Sequence, residues 1–431
     1  MSANNMDIPF RRISANAIWL VADKFSRIAI GFVLFALIAR HLGPEKFGTL
    51  NLAIAVVALL SPIATLSMDR ITIKDFVDAP ENSSAILVNT FFLRIIGGFS
   101  TWILACLFAW YYYGYETFLI TAILGLVPVL QAIDVVDNYF QSRLEVSRVV
   151  IARLLSLGFS SLFRVYLLMI TDSVFWFAVA ALLEAVFMYS VMIIQFFCWK
   201  KFILVLTVSK KFIVSRFIQS WPLIVSGFAY ITYMRIPYIF IGSNCGLDEV
   251  SYYSVSLKCI EGLLPVVHIV ANSMYPVFVK MILDNRSEFY SLYLKYLKYI
   301  VAVAYILLLL TVLFSNFIIV SIFGSQYVDA VPVFRILAIS QFFMIVSVFR
   351  SSYLTIVGMQ KHIMIASVLG CLLSLIGSYI FVRAGGAIAA SWLFVVIQIL
   401  VLFLYDSFSV ETRHLFKIHL NGMTLGLFAK K

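Results

Sequence analysis

Charge is what this sequence has least of: 12% of its residues are Asp, Glu, Lys or Arg, against 63% hydrophobic, and the mean hydropathy is +1.01. A water-soluble domain carries roughly twice that share of charge, so soluble enzymes and soluble binding modules are excluded as classes. Acid is scarcer than base, with 21 Asp and Glu against 32 Lys and Arg. Cysteine is sparse and unpaired in spacing: Cys106, Cys198, Cys245, Cys259 and Cys371 lie scattered in or beside apolar runs. That spacing suggests neither a disulfide framework nor a zinc site, and leaves packing as their role. The phosphate-cradling pattern GxxxxGK[ST] is missing, so P-loop nucleotide hydrolysis is excluded as an energy source. No catalytic constellation, metal or cofactor is expected.

What is present is apolar sequence in long runs. A bilayer-spanning helix needs roughly 20 predominantly apolar residues, and the chain supplies about twelve such runs. They fall near 14–39, 48–68, 85–112, 117–140, 149–171, 173–198, 219–242, 251–279, 297–322, 331–357, 362–382 and 385–405. Runs of this length read as helices, because lipid leaves the edge of an open sheet with unpaired backbone groups. The expected fold is an all-α polytopic membrane protein. The first run bears charge and lacks a small-residue cleavage pattern, so it reads as a retained helix rather than a signal peptide.

Lys and Arg outside these runs collect on one side, from Arg11, Arg12, Arg70 and Lys74 through Arg143, Arg148, Arg153 and Lys200 to Lys361, Arg413, Lys430 and Lys431. Only Arg40, Lys46 and Arg383 lie on the other. Cytoplasmic loops carry such an excess, which predicts cytoplasmic termini. The net charge of +11 then reads as a topology signal and an attraction to anionic lipid, with no nucleic acid as partner.

The expected outer corners are short: 40–47, 114–116, 171–172, 243–250, 324–330 and 383–385. That leaves no room for the acceptor-holding loops of a membrane glycosyltransferase or polymerase. Tyr111, Tyr112, Tyr113, Tyr115, Tyr252 and Tyr253 near these corners fit an interfacial aromatic belt. On the opposite side, Lys200, Lys201, Lys210, Lys211 and Arg216 alternate with Phe202, Ile203, Phe212 and Phe217, a basic amphipathic pattern suited to the headgroup region. It predicts a division into an N-terminal bundle at 1–199, a linker at 200–218, a C-terminal bundle at 219–405 and a tail at 406–431.

A weak internal repeat supports two parallel halves. Gly43-Pro44-Glu45-Lys46-Phe47-Gly48 aligns with Gly246-Leu247-Asp248-Glu249-Val250-Ser251, each after the first run of its half, and Asp137–Gln141 aligns with Ser351–Thr355. The opening pattern, Asn16, Trp19, Lys24 and Arg27 followed by Ala39-Arg40-His41-Leu42-Gly43-Pro44-Glu45-Lys46-Phe47-Gly48, resembles the N-terminal signature of bacterial polysaccharide-transport flippases. These are the Wzx or RfbX-like O-antigen transporters of the multidrug/oligosaccharidyl-lipid/polysaccharide exporter superfamily.

The resemblance implies two pseudo-symmetric six-helix bundles around a central cavity in the bacterial inner membrane. It implies export of undecaprenyl-diphosphate-linked oligosaccharide for O-antigen and lipopolysaccharide assembly, alongside a polymerase and a chain-length protein of the same pathway. The chain stops soon after its twelfth run, without the two extra C-terminal helices of lipid II flippases, which lowers a peptidoglycan role.

Charges inside the runs carry the mechanism. Lys24, Arg27, Arg94, Arg164, Arg235, Lys258, Arg335 and Arg350 oppose Asp23, Asp134, Asp137, Glu184 and Glu261. At roughly 2.5–3.5 kcal/mol each, facing lipid would cost on the order of 30–45 kcal/mol in total. They are therefore expected against protein partners or a hydrated cavity. Arg335, Arg94 and Asp137 lie near enough to a surface to be ordinary, since long side chains reach the interface. The expected headgroup cations are Lys24, Arg27, Arg164, Arg235, Lys258 and Arg350. Asp23, Asp134, Glu184 and Glu261 are expected to pair charges or couple ions, with His268 as a core histidine or relay. Asp23 and Arg27, four apart, share a helix face and can pair, which leaves Lys24 the freer cation. Gly43, Glu45 and Gly48 form an expected conformational corner, and Gly31, Gly97, Gly98 and several prolines offer bending or packing points. A multidrug or metabolite exporter is the alternative, disfavoured by the excess of buried cations. A membrane-embedded polymerase or glycosyltransferase ranks below both.

Overall fold

A computed structural model describes residues 10–199 and 209–424. Lys200, Lys201 and the rest of the expected linker to residue 208, and the tail from 425 with Lys430 and Lys431, lie outside the described residues. The described chain is almost wholly helical, with no strand. In order, the helices are α1 (Phe10–Thr65), α2 (Asp69–Asp78), α3 (Ser83–Leu124), α4 (Leu126–Leu130), α5 (Asp134–Ser142), α6 (Val146–Ile170), α7 (Val174–Trp199) and α8 (Lys210–Asn244). There follow α9 (Leu247–Glu261), α10 (Leu264–Asp284), α11 (Arg286–Leu313), α12 (Ser315–Phe323), α13 (Ala330–Ile356), α14 (Lys361–Gly377), α15 (Arg383–Ile399), α16 (Tyr405–Phe408) and α17 (Arg413–Met423). Short π-helical segments join α14 to α15 and α15 to α16.

Among the described residues, nine stretches are long and apolar enough to cross a membrane. Three of them, Ala22–Asp78, Pro80–Ser142 and Lys361–Phe408, are interrupted by a glycine at positive φ: Gly43 at 76°, Gly114 at 79° and Gly386 at 56°. Divided there, the nine stretches make the twelve spans read from the sequence. A left-handed residue ends one helix without the Cβ clash that other residues suffer. Gly246 and Gly324 do the same, so four of the six corners poor in Lys and Arg hold a left-handed glycine and a fifth, 383–385, is followed directly by one, Gly386. At the sixth, Thr171-Asp172, the ring of His41 substitutes, its Nε2 lying 3.0 Å from the Thr171 carbonyl and 2.9 Å from the Asp172 carboxylate.

The chain divides into two compact units, one of residues 1–42 and 49–231, the other of residues 43–48 and 232–431. The division falls inside α8, and the basic residues from Lys210 onward run into α8 as one continuous helix. In the first unit, Phe76, Val135, Tyr139, Phe140, Val149, Tyr189 and Phe196 form the buried core. Lipid is as apolar as these side chains, so helices in a membrane are held by close packing and polar links. Two glycines of α3 permit that packing: a Cβ on Gly97 would strike the Ile63 carbonyl, and one on Gly98 would strike Val129. The sequence offered these two as bending or packing points, and the structure uses both for packing.

The second unit has its core where α10, α11 and α13 meet, around Phe278, Phe289, Tyr293, Leu297, Phe349 and Tyr353. The amphipathic α17 adds Leu415 to it. At the other end its corners are knit together. Gly48 lies so close to the Leu247 carbonyl that no Cβ fits. Glu249 accepts a 2.8 Å hydrogen bond from the Ala387 amide and so caps the helix that restarts after Gly386. Ser251 meets the Tyr327 hydroxyl at 3.3 Å.

Candidate functional site

In the first unit the expected pair on α1 forms, Arg27 Nε standing 3.2 Å from Asp23 Oδ1. The two ends of this pair differ: the Asp23 side chain is 2% exposed, whereas that of Arg27 is 43% exposed. The two side chains share one helix face, and the split follows from length: the short Asp23 side chain is covered where Arg153 of α6 meets it, whereas the long Arg27 side chain reaches past that contact to an exposed position. Lys24 is exposed and has no ion-pair partner among the described residues.

Asp23 is held from behind by Arg153 of α6, whose Nη1 donates to it at 3.3 Å. Nη2 of the same guanidinium donates to Asp137 of α5, which also receives Gln141 Nε2 at 2.9 Å. The result is a strand of alternating charge, Arg27, Asp23, Arg153, Asp137, that ties α1, α5 and α6. Sequence reasoning grouped Arg153 with the cations outside the runs. The structure places it inside α6 with its side chain 22% exposed. The available signal was two intramembrane carboxylates, Asp23 and Asp137, in want of a cation at the edge of the 149–171 run.

Four other expected charges of this unit are committed to partners. Arg164 donates to Glu184 at 2.7 Å, and Ser160 donates to the same carboxylate oxygen at 2.8 Å, linking α6 to α7. Arg94, 1% exposed, donates to Asp69 at the start of α2 at 2.6 Å, and Asn138 donates to the same oxygen at 3.2 Å. Asp134 accepts a hydrogen bond from the Tyr189 hydroxyl at 3.1 Å and lies within electrostatic range of Arg94 and Asp137. Asp69, Asn138, Gln141 and Tyr189 were missed because each gains its role only from a neighbour distant in sequence.

In the second unit, Arg235 of α8 stacks over the Tyr238 ring at 5.6 Å, and Tyr238 packs edge-on against Tyr253 at 5.0 Å. Glu261 lies within electrostatic range of Arg235 and Tyr238. Lys258, three residues before Glu261 on α9, is exposed, as is His268. Arg335 donates to Ser315 Oγ at 2.6 Å.

Arg350 is placed differently from the other expected headgroup cations. It is 4% exposed and grips Asp406, itself 0% exposed, through Nε at 2.7 Å and Nη2 at 2.6 Å. Two of its three guanidinium nitrogens are thus bonded to the Asp406 carboxylate inside the second unit.

The corner residues Gly43, Glu45 and Gly48 fall in the second unit, Gly48 buried against Leu247 and Glu45 exposed. Among the described residues no group of His, Cys, Asp and Glu side chains is arranged to hold a metal ion. The arrangement of the first unit is thus a pair of exposed cations on one helix face, with the compensating carboxylate turned inward and neutralised from behind.

Residues 37–332 match the family described as polysaccharide biosynthesis protein. No curated protein matches the chain. Among solved structures, the chain is similar to an inward-facing multidrug resistance MATE transporter of the MOP superfamily (TM-score 0.70, 15% identity, 92% of this chain and 95% of that one). It is similar also to the lipid II flippase MurJ in an inward closed conformation (TM-score 0.69, 16% identity, 96% and 94% coverage). A third is a MOP-superfamily transporter from Pyrococcus furiosus whose binding pocket is described as reversed in polarity (TM-score 0.57, 14% identity, 96% and 94% coverage). At such identities the likeness is one of fold, that of polytopic MOP-superfamily transporters. With well over half of its length matched, the chain belongs to the polysaccharide biosynthesis protein family.

Proposed function

We propose that this chain is a flippase that moves an undecaprenyl-diphosphate-linked oligosaccharide, such as an O-antigen repeat unit, across the bacterial inner membrane by alternating access. The observation that carries the reading is the cationic face of α1. Lys24 and Arg27 are exposed while Asp23 is withdrawn and shared with Arg153. A diphosphate crossing a low-dielectric region needs fixed positive charge in place of bulk water. Arg suits phosphate oxygens through its planar fork, and Lys suits them as a point charge.

Arg235 and Lys258 are the further headgroup cations in this reading. Arg164 and Arg350 are spent on Glu184 and Asp406. Asp134, whose carboxylate accepts a hydrogen bond from the Tyr189 hydroxyl, is the first candidate for ion coupling, with Glu261 the second. Polymerase and chain-length proteins of the same pathway are the partners this role calls for.

Deleting the gene tests the function. Lipid-linked repeat unit accumulating on the cytoplasmic leaflet supports a flippase. Accumulation on the periplasmic leaflet points instead to a polymerase, and unchanged lipid-linked intermediates with altered drug export point to the multidrug alternative. Lys24→Ala and Arg27→Ala together are expected to lower transport by at least tenfold while insertion and expression persist. Wild-type transport in the double variant would overturn the headgroup role.

A further inference from the structure

Arg94 is buried beyond what its one partner explains. Its Nη2 is bonded to Asp69, yet Nε and Nη1 have no hydrogen-bond partner among the described residues, and the residue is 1% exposed. Two more polar groups share the predicament: the hydroxyls of Thr90 and Thr72 are fully enclosed and unpartnered. Helical spacing sets each of them one turn from a member of the Arg94–Asp69 pair. Thr90 lies one turn before Arg94 on the same face of α3, and Thr72 lies one turn after Asp69 on the same face of α2. An unmade hydrogen bond inside a protein carries the full desolvation penalty of the group, and buried polar groups are therefore almost always satisfied by protein, water or ion.

The local charge decides which ligand fits. Arg94 is balanced by Asp69, and two more carboxylates, Asp134 and Asp137, lie nearby. A further anion would be repelled by them, and a cation would meet the guanidinium. A neutral ligand that donates and accepts is what remains, and water needs two to four polar partners of this kind.

We propose that Arg94, Thr72 and Thr90 form a buried water-binding site that opens to solvent at Asp69 and extends towards Asp134. The Asp69 side chain is 56% exposed and supplies the mouth. Arg94 of α3 donates to Asp69 of α2, and Asn138 of α5 donates to the same carboxylate oxygen. Asp134, within electrostatic range of both Asp69 and Arg94, lies at the far end with Tyr189. Such an inlet gives a carboxylate inside the unit a route for proton exchange without opening the helices. The hydration site stands on its own; only its use in coupling rests on the ion-coupling reading of Asp134.

Replacing each threonine by valine, which keeps shape and removes the hydroxyl, discriminates by sign. If Thr72 and Thr90 hold water, Thr72→Val and Thr90→Val each lower the melting temperature of the purified protein by a few degrees. The double variant then loses less than the sum, because the two share bound water. If the site is dry, replacing an unmet hydroxyl by a methyl raises the melting temperature, and that result, or no change in either variant, overturns the proposal. Radiolytic footprinting in 18O-labelled water gives a second readout on the folded protein: Tyr189 takes up label in the wild type and loses most of it in the double variant. An unlabelled Tyr189 in the wild type overturns the extension towards Asp134. Asp134→Asn tests coupling separately: loss of the pH dependence of transport supports it. Unchanged pH dependence rejects the coupling use while the hydration results still stand or fall by themselves.

Discussion

Asp406→Ala is expected to release α17 and cost about 3–5 kcal/mol, the usual penalty for leaving one member of a buried ion pair uncompensated. The structure sets the magnitude at the upper end of what ion pairs give. Both partners are enclosed, 4% and 0% exposed, and the two bonds at 2.7 and 2.6 Å make a bidentate fork. The stranded guanidinium would retain only the face of Tyr405, whose ring centre is 5.9 Å away. The backbone carbonyl of Asp406 accepts from Thr412 Oγ1 at 3.4 Å, a bond that alanine keeps, so the predicted loss rests on the carboxylate alone. For a unit of about 200 residues the loss amounts to a fall on the order of 10 °C in melting temperature. Fluorescence-detected gel filtration after heating reads the fall, and limited proteolysis within 409–423 reads the release of α17. The double variant Arg350→Met/Asp406→Leu removes both charges and is expected to regain most of the stability, because a desolvated ion pair contributes little net over an apolar pair of similar volume. A single variant as stable as the wild type, or a double variant as unstable as the single, would refute the reasoning.

Glycine at close helix contacts is expected to be intolerant of even one methyl group. Gly48→Ala and Gly97→Ala each push a backbone carbonyl, of Leu247 and Ile63 respectively, and should cost about 1–3 kcal/mol, measurable as a lower melting temperature. Gly31, with open space around its Cβ position, should accept alanine unchanged and serves as the control. Docking of α17 should weaken in acid. His419, bonded to the Tyr293 hydroxyl at 3.0 Å, is enclosed, and burial together with the charge of Arg350 pushes its pKa down from 6.5 to about 3. The unfolded or released segment binds a proton that the docked one refuses, so stability is complete above pH 6.5 and falls as the pH drops towards 3, by at most about 1.4 kcal/mol per unit. Glu411, whose carboxyl is held below its usual range by Lys361 and His362, acts in the same direction. Protease sensitivity of α17 that is flat between pH 7 and 4 would contradict this.

Much of the fold was legible because its signals are local. Apolar runs of the right length are countable in sequence, and the corners were placed where short polar breaks meet glycines, at Gly43, Gly114, Gly246 and Gly324. The pairing of Asp23 with Arg27 was legible for the same reason: four residues make one helical turn. The amphipathic tail helix and its histidine contacts, Tyr353 with His414 at 2.7 Å and Tyr293 with His419, were not, since an eleven-residue polar stretch shows nothing of what it packs against.

The cation inventory shows the division most clearly. Which residues carry charge inside apolar runs is a property of the sequence, and insertion cost rules out a lipid-facing placement for most of them. Which of them remains open to a ligand depends on partners 130 residues away for Arg153 and Asp23, 56 away for Arg350 and Asp406, and 20 away for Arg164 and Glu184. Ion pairing falls off within a few ångströms, and only the folded helices bring such groups within that range. Sequence therefore determined the membrane-spanning architecture and most of the charges that lie inside its apolar runs. Tertiary structure decided that Arg94, Arg164 and Arg350 are neutralised and that Lys24 and Arg27 stand exposed.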